Sequence, residues 1–214
     1  MRFFKILGFI IMSFCFFGVS WGHDDPYEKL KLAVSDVLSI LYKSDSNLDI
    51  LAKESAILNK LSEHYDLDII IRRSIGRNWE KIQLDHREQT ISLIKQLVIR
   101  AYVDGMMAVS EPKVVFYEID YMSPKRSEIA TVVELDNQPI NMNYRFGKMV
   151  SGWQIYDIII ENISLVATYR KQFDSFFTKS DSGALILKTS LKPSSSRSRK
   201  KPISSEGLLN PKMP

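Results

Sequence analysis

The hydrophobic period of this chain switches from helical to strand spacing at Pro112, and no single motif constrains the fold as much. Before it, apolar residues recur every three or four positions, the spacing of an amphipathic helix. Leu30, Val34, Val37, Leu38 and Leu41 share one face between Pro26 and Tyr42. A second helix is expected from about Asp49 to Tyr65, with Ile57, Leu58 and Leu61 inward. A shorter one follows from Asp66 to Ile75, ended by Gly76. From about Asp85 to Met107 a long helix carries Ile91, Ile94, Leu97, Val98, Ala101 and Tyr102.

Beyond Pro112 the period is two. KVVFYEIDY (113–121), EIATVVELD (128–136) and PINMNYRFG (139–147) read as strands, and Gly152 to Ile160 as a fourth. The connections are short and rich in turn residues, which makes an antiparallel meander natural. Ser164 then caps a helix with Leu165, Tyr169, Phe173 and Phe176 inward, and Gly183 to Leu191 adds a last short one. Helices first and a curved meander second give an α+β cone, with the N-terminal helices packed on one antiparallel sheet.

The fourth strand poses a question. Its centre, Ile158-Ile159-Ile160, is apolar on both faces, whereas a strand at the surface of a small domain offers one wet face. Asp157 is expected to share a face with Trp153, Ile155 and Ile159, the odd positions of an unbroken strand.

The two ends are set apart from the fold. Residues 1–22 have Arg2 and Lys5, an apolar run from Ile6 to Val19, and Ser20-Trp21-Gly22, the pattern of a cleaved secretory signal peptide with the mature chain starting at His23. The one cysteine, Cys15, lies inside that segment, so residues 23–191 are expected to fold without disulfides or thiol chemistry. Residues 192–214 are rich in Ser, Pro and basic side chains, and are expected to form a disordered tail. The formal charge of the whole chain is +4, but the tail alone contributes six basic residues against Glu206, and residues 23–191 come to −3. A packed basic face for nucleic acid is therefore not indicated.

Catalytic signatures are sparse. His23, His64 and His86 are widely separated, and no glycine-rich phosphate loop or paired metal-ligand spacing is present. Cones of this class also host isomerases and dehydratases that use an aspartate in an apolar pocket, which makes Asp157 and Asp120 the candidates for an enzymatic alternative. A pure interaction module, with a filled core, is the third class.

Three landmarks together resemble the MlaC family of soluble periplasmic phospholipid carriers, also called toluene-tolerance auxiliary proteins. Gly152-Trp153-Gln154-Ile155-Tyr156-Asp157, an apolar trio and then Glu161-Asn162-Ile163-Ser164 is similar to the family's G-x-W-x-hydrophobic-Y-D and E-G-hydrophobic-S. Asp66 followed by Gly76-Arg77-Asn78-Trp79 resembles its aspartate ten residues before G-R-x-W. The helix after His86-Arg87-Glu88, ending in Ala101-Tyr102, is the third. Asn162 stands where the family usually has Gly; Asn tolerates a left-handed backbone, so the turn is expected to survive.

The resemblance implies a fold like nuclear-transport-factor-2 proteins, widened to hold lipid tails. It also implies a non-enzymatic role. In that role the protein shuttles phospholipid between an inner-membrane ABC transporter complex, through its substrate-binding subunit, and an outer-membrane lipoprotein–porin complex. No cofactor is implied beyond bound phospholipid as cargo. On this reading one face of Ile158-Ile159-Ile160 meets the helices and the other lines a cavity filled by acyl chains. The candidate wall is Tyr102, Tyr117, Ile119, Tyr144, Phe146, Trp153, Ile158 and Ile160, with Arg145 or Arg170 touching a head group at the mouth.

Overall fold

A computed structural model of the protein describes residues 25–43 and 49–190, with side chains through residue 186. The expected leader (1–22), the expected tail (192–214), His23 and Leu191 lie outside the described residues.

Most of the helices start where a short acidic or hydroxyl side chain can satisfy a free backbone N–H. Helix α1, Pro26–Leu38, has Asp25 accepting from Tyr27 N at 2.9 Å, and proline at its first position, where the missing N–H costs nothing. It runs on into a π-helical turn, Ser39–Lys43, whose Leu41 carbonyl accepts from Lys53 Nζ at 2.8 Å. Asp49 caps α2, Ile50–His64, accepting from Ala52 N at 2.7 Å. Asp66 caps α3, Leu67–Ile75, accepting from Asp68 N at 3.0 Å. Gly76 ends α3 at φ +60°, a backbone that strains any residue with a Cβ, and an added Cβ would also crowd the Arg170 side chain, with Nε at 3.0 Å. A 3₁₀ turn, Gly76–Lys81, leads to α4, Leu84–Met106.

The inward face of α4 is rotated from the expected one. Ile91 and Ile94 are buried as read, but Val98 and Ala101 are exposed, while Ile99, Val103 and Met106 are buried. Arg100 holds Glu54 of α2 by Nε at 3.1 Å, tying α4 to its neighbour.

Beyond Pro112 come β1 (Lys113–Ser123), β2 (Arg126–Leu135), β3 (Gln138–Met149) and β4 (Gly152–Ile160), then a two-residue β5 (Ile163–Ser164) that the sequence did not announce. They form one antiparallel sheet in chain order. Asp136 and Asn137 close the β2–β3 hairpin at φ +48° and +63°, and Glu161 and Asn162 turn at +47° and +65°, so Asn162 does adopt the left-handed backbone. Helix α5, Leu165–Phe177, is capped by Ser164, whose Oγ accepts from Ala167 N at 3.0 Å, and α6, Ser182–Ser190, follows.

Three apolar clusters hold these layers together. One joins Val37, Leu41, Ile57, Val103 and Met106 of the helices to Val133, Leu135, Ile140 and Ile160 at the β2–β3 turn end of the sheet. Another joins Leu30, Ala33 and Tyr65 to Ile129, Phe146, Trp153 and Ile155 at the opposite end. The third packs α3, α4, α5 and α6 on one another through Ile75, Ile94, Phe173, Phe177 and Leu185. Among the described residues no helix is long and apolar enough to cross a membrane.

Candidate functional site

The site follows from the sheet register. Ile119 pairs with Ile129, Ile129 with Tyr144, and Tyr144 with Ile158, so these four form one row across β1–β4. The next row runs Phe116, Thr131, Met142, Ile160. In both rows the side chains point to the helix layer.

The expected alternation in β4 fails at one residue. Arg145 pairs with Asp157 but Phe146 pairs with Ile155, which leaves Tyr156 as a bulge. Trp153 and Ile155 therefore face the helices before the bulge, and Ile158 and Ile160 after it, while Asp157 and Ile159 lie on the other face. Two expectations are corrected by this. Asp157 does not share a face with Trp153 and Ile155. Nor do helices and cavity wall take opposite faces of the trio: Ile158 and Ile160 both face the helix clusters. Tyr156 is itself held between guanidinium groups, with Arg73 at 4.9 Å and Arg126 at 5.1 Å from its ring centre.

Between the two sheet-end clusters lies a seam. Leu61 and Ile158 touch both clusters and are only half-buried, as are Tyr102, Met142 and Tyr144 beside them. These side chains stand in the interior yet keep accessible surface, which is how the wall of a hollow differs from a packed core. The electrostatics agree. Burial pushes the Tyr144 hydroxyl up to about 12, and burial with Tyr144 nearby pushes Tyr102 higher still. Both phenols are thus held in a poorly solvated, apolar setting. Tyr65, also raised by burial and by Tyr144, has a buried hydroxyl with no hydrogen-bond partner among the described residues.

The structure thus sorts the predicted wall. Tyr102, Ile119, Tyr144 and Ile158 are half-buried residues packed against the sheet-end clusters, and three of them share one row. Phe146, Trp153 and Ile160 are closed core, at most 5 % exposed. Tyr117 is misplaced: it follows the inward Phe116 and so faces outward, 53 % exposed, while the register shift beyond Phe116 is what brings Ile119 inward. Sequence reasoning missed Met142, although it alternates with Tyr144, and Tyr65 at the end of α2.

The charged candidates are occupied elsewhere. Asp157 accepts from Ser164 Oγ at 2.8 Å and from Val166 N at 3.2 Å, joining β4 to the start of α5. Asp120 is exposed. Arg145 pairs with Glu128 at 2.7 Å, next to Asp157 on the face away from the seam. Arg170 donates to the Arg73 carbonyl. No acid or base named by the sequence converges on the seam.

Fold and seam together define a class: an α+β scaffold whose one antiparallel sheet and covering helices meet in an apolar seam. The family model described as MlaC protein matches residues 31–189, and the chain belongs to that family. Its fold is similar to that of a solved structure, a phospholipid-binding protein from Ralstonia solanacearum in complex with a phospholipid. The TM-score is 0.68 at 24 % identity, over 76 % of this chain and 93 % of that one. No curated protein matches.

Proposed function

We propose that this protein binds a glycerophospholipid by its acyl chains in the seam between Leu61, Tyr102, Met142, Tyr144 and Ile158. The observation that carries the reading is this set of half-buried apolar side chains between two closed clusters. Membership of the MlaC family and the phospholipid in the Ralstonia solanacearum structure support it.

Energetics favour a carrier over a sink. Two acyl chains hold roughly 30 methylenes, and at ~0.8 kcal/mol each their exposure to water would cost more than ~20 kcal/mol. In a bilayer the tails are already dry, so a pocket need only match that environment, and near-equality permits loading and release. An inert apolar wall meets this requirement. The wider proposal is that residues 1–22 direct export, that residues 23–191 form the carrier in the periplasm, and that lipid passes between an inner-membrane ABC transporter complex and an outer-membrane lipoprotein–porin complex.

The test is native mass spectrometry of detergent-free protein with lipid extraction, followed by uptake from liposomes. Co-purifying phospholipid and saturable uptake are expected. Protein that carries none and takes up none would end the proposal.

A further inference from the structure

At one end of the sheet the β1–β2 and β3–β4 turns stand side by side, joined by Lys148 N donating to the Lys125 carbonyl at 3.0 Å. This double tip displays large apolar side chains to solvent: Val150 is fully exposed, and Tyr121, Met122 and Met149 are 56 %, 49 % and 41 % exposed. Three cations, Lys125, Arg126 and Lys148, are exposed among them. Residues 121–127 and 147–153 contain no Asp or Glu, although residues 23–191 are net negative. The platform is braced: Tyr121 meets the buried Trp153 edge-on at 6.1 Å, and Lys148 lies over the same ring at 5.7 Å. The β2–β3 turn at the other end has none of this; it carries Glu134 and Asp136, and no exposed large apolar residue.

Protruding apolar tips ringed by cations match the boundary layer of an anionic bilayer: side chains enter the head-group region while the cations meet lipid phosphates. An acidic protein partner would satisfy the cations, but two narrow turns give it little area to cover. We infer that the double tip, centred on Val150 and flanked by Lys125, Arg126 and Lys148, docks the protein on an anionic phospholipid bilayer. This rests on the turns alone and is independent of what the seam holds.

The test places a polarity-sensitive bimane on the purified protein in a Cys15→Ser background, at Val150→Cys or, as a control, at Asn137→Cys on the β2–β3 turn. Vesicles contain phosphatidylcholine with or without phosphatidylglycerol. A blue shift is expected at position 150 only, and only with phosphatidylglycerol. Lys125→Glu with Lys148→Glu should lower the vesicle-bound fraction at least about tenfold, since each lost cation costs about fivefold; Lys125→Glu alone, which leaves the Trp153 ring covered, should lower it about fivefold or more. Bound phospholipid should be unchanged in all variants. No shift at position 150, equal shifts at 150 and 137, or charge-reversed protein that binds as well as the parent would overturn the inference. The last result would assign binding to the basic residues between 192 and 214.

Discussion

Tyr144 and Ile158 are directly opposed on neighbouring strands, and each keeps accessible surface in the middle of the sheet's helix-facing side. Residues on the same face at either end, Phe146 and Ile160, do not. Ile158→Glu should therefore separate cargo from fold. A carboxylate among acyl chains is costly by several kcal/mol, so extracted phosphorus per protein is expected to fall at least tenfold, with a smaller loss of thermal stability. Ile160→Glu, 2 % exposed in the closed cluster, is expected to unfold the protein instead. Lys171→Ala on the exposed side of α5 should change neither.

Asp157→Ala is expected to do the reverse. It strands Ser164 Oγ and Val166 N at the start of α5 and should lower unfolding free energy by about 1–3 kcal/mol in urea titrations. Lipid content should stay near that of the parent. A variant as stable as the parent but empty would place Asp157 in the binding site.

Acid should weaken the outer face of the sheet. Burial alone would raise the Glu128 carboxyl, but hydrogen bonds from Arg145 and Asn143 and the Arg145 charge override it and hold it below its usual value of 4.5. A depressed carboxylate contributes stability above its unfolded pKa and loses it as pH falls through the folded one. Thermal midpoints of the parent should fall below about pH 4.5 more steeply than those of Glu128→Gln.

Two phenols call for different measurements. Tyr65→Phe removes a buried hydroxyl with no partner among the described residues, and is expected to be neutral or stabilising by up to about 1 kcal/mol in urea titrations. Tyr144 has a raised pKa of about 12, so its contribution is complete below the unfolded value near 10 and is lost as pH rises toward 12. Tyr144→Phe should flatten that alkaline loss, and the ultraviolet titration of the folded protein should lose one late-ionising phenol.

The element order was legible because local signals and tertiary needs agreed. Asp49, Asp66 and Ser164 cap the helices that their sequences announce, Gly76 ends α3, and the strands keep their period for most of their length. The site was legible only where the period is unbroken. Tyr144 faces the helix layer as its alternation implies, because β3 alternates cleanly from Ile140 to Phe146. Tyr117 does not share the face of Ile119, because the irregularity between Phe116 and Ile119 breaks the alternation between them, and nothing in the surrounding residue types marks it. The same blindness put Asp157 on the wrong side of β4. Whether an inward residue is sealed, like Ile160, or left with open surface, like Ile158, depends on helices distant in sequence, and the buried face of α4 itself lies about one position from the one its spacing suggests.

The unpaired position at Tyr156 sets a limit on how this chain can vary. Upstream of it the odd-numbered side chains of β4 look inward, and downstream the even-numbered ones do. Exchanging one aliphatic residue for another along β4 leaves that alternation intact. Losing or gaining a single residue between Ile155 and Asp157 does not: it would expel Trp153 and Ile155 into water, or else detach Asp157 from α5. In this strand the count of residues is under stronger constraint than their identity.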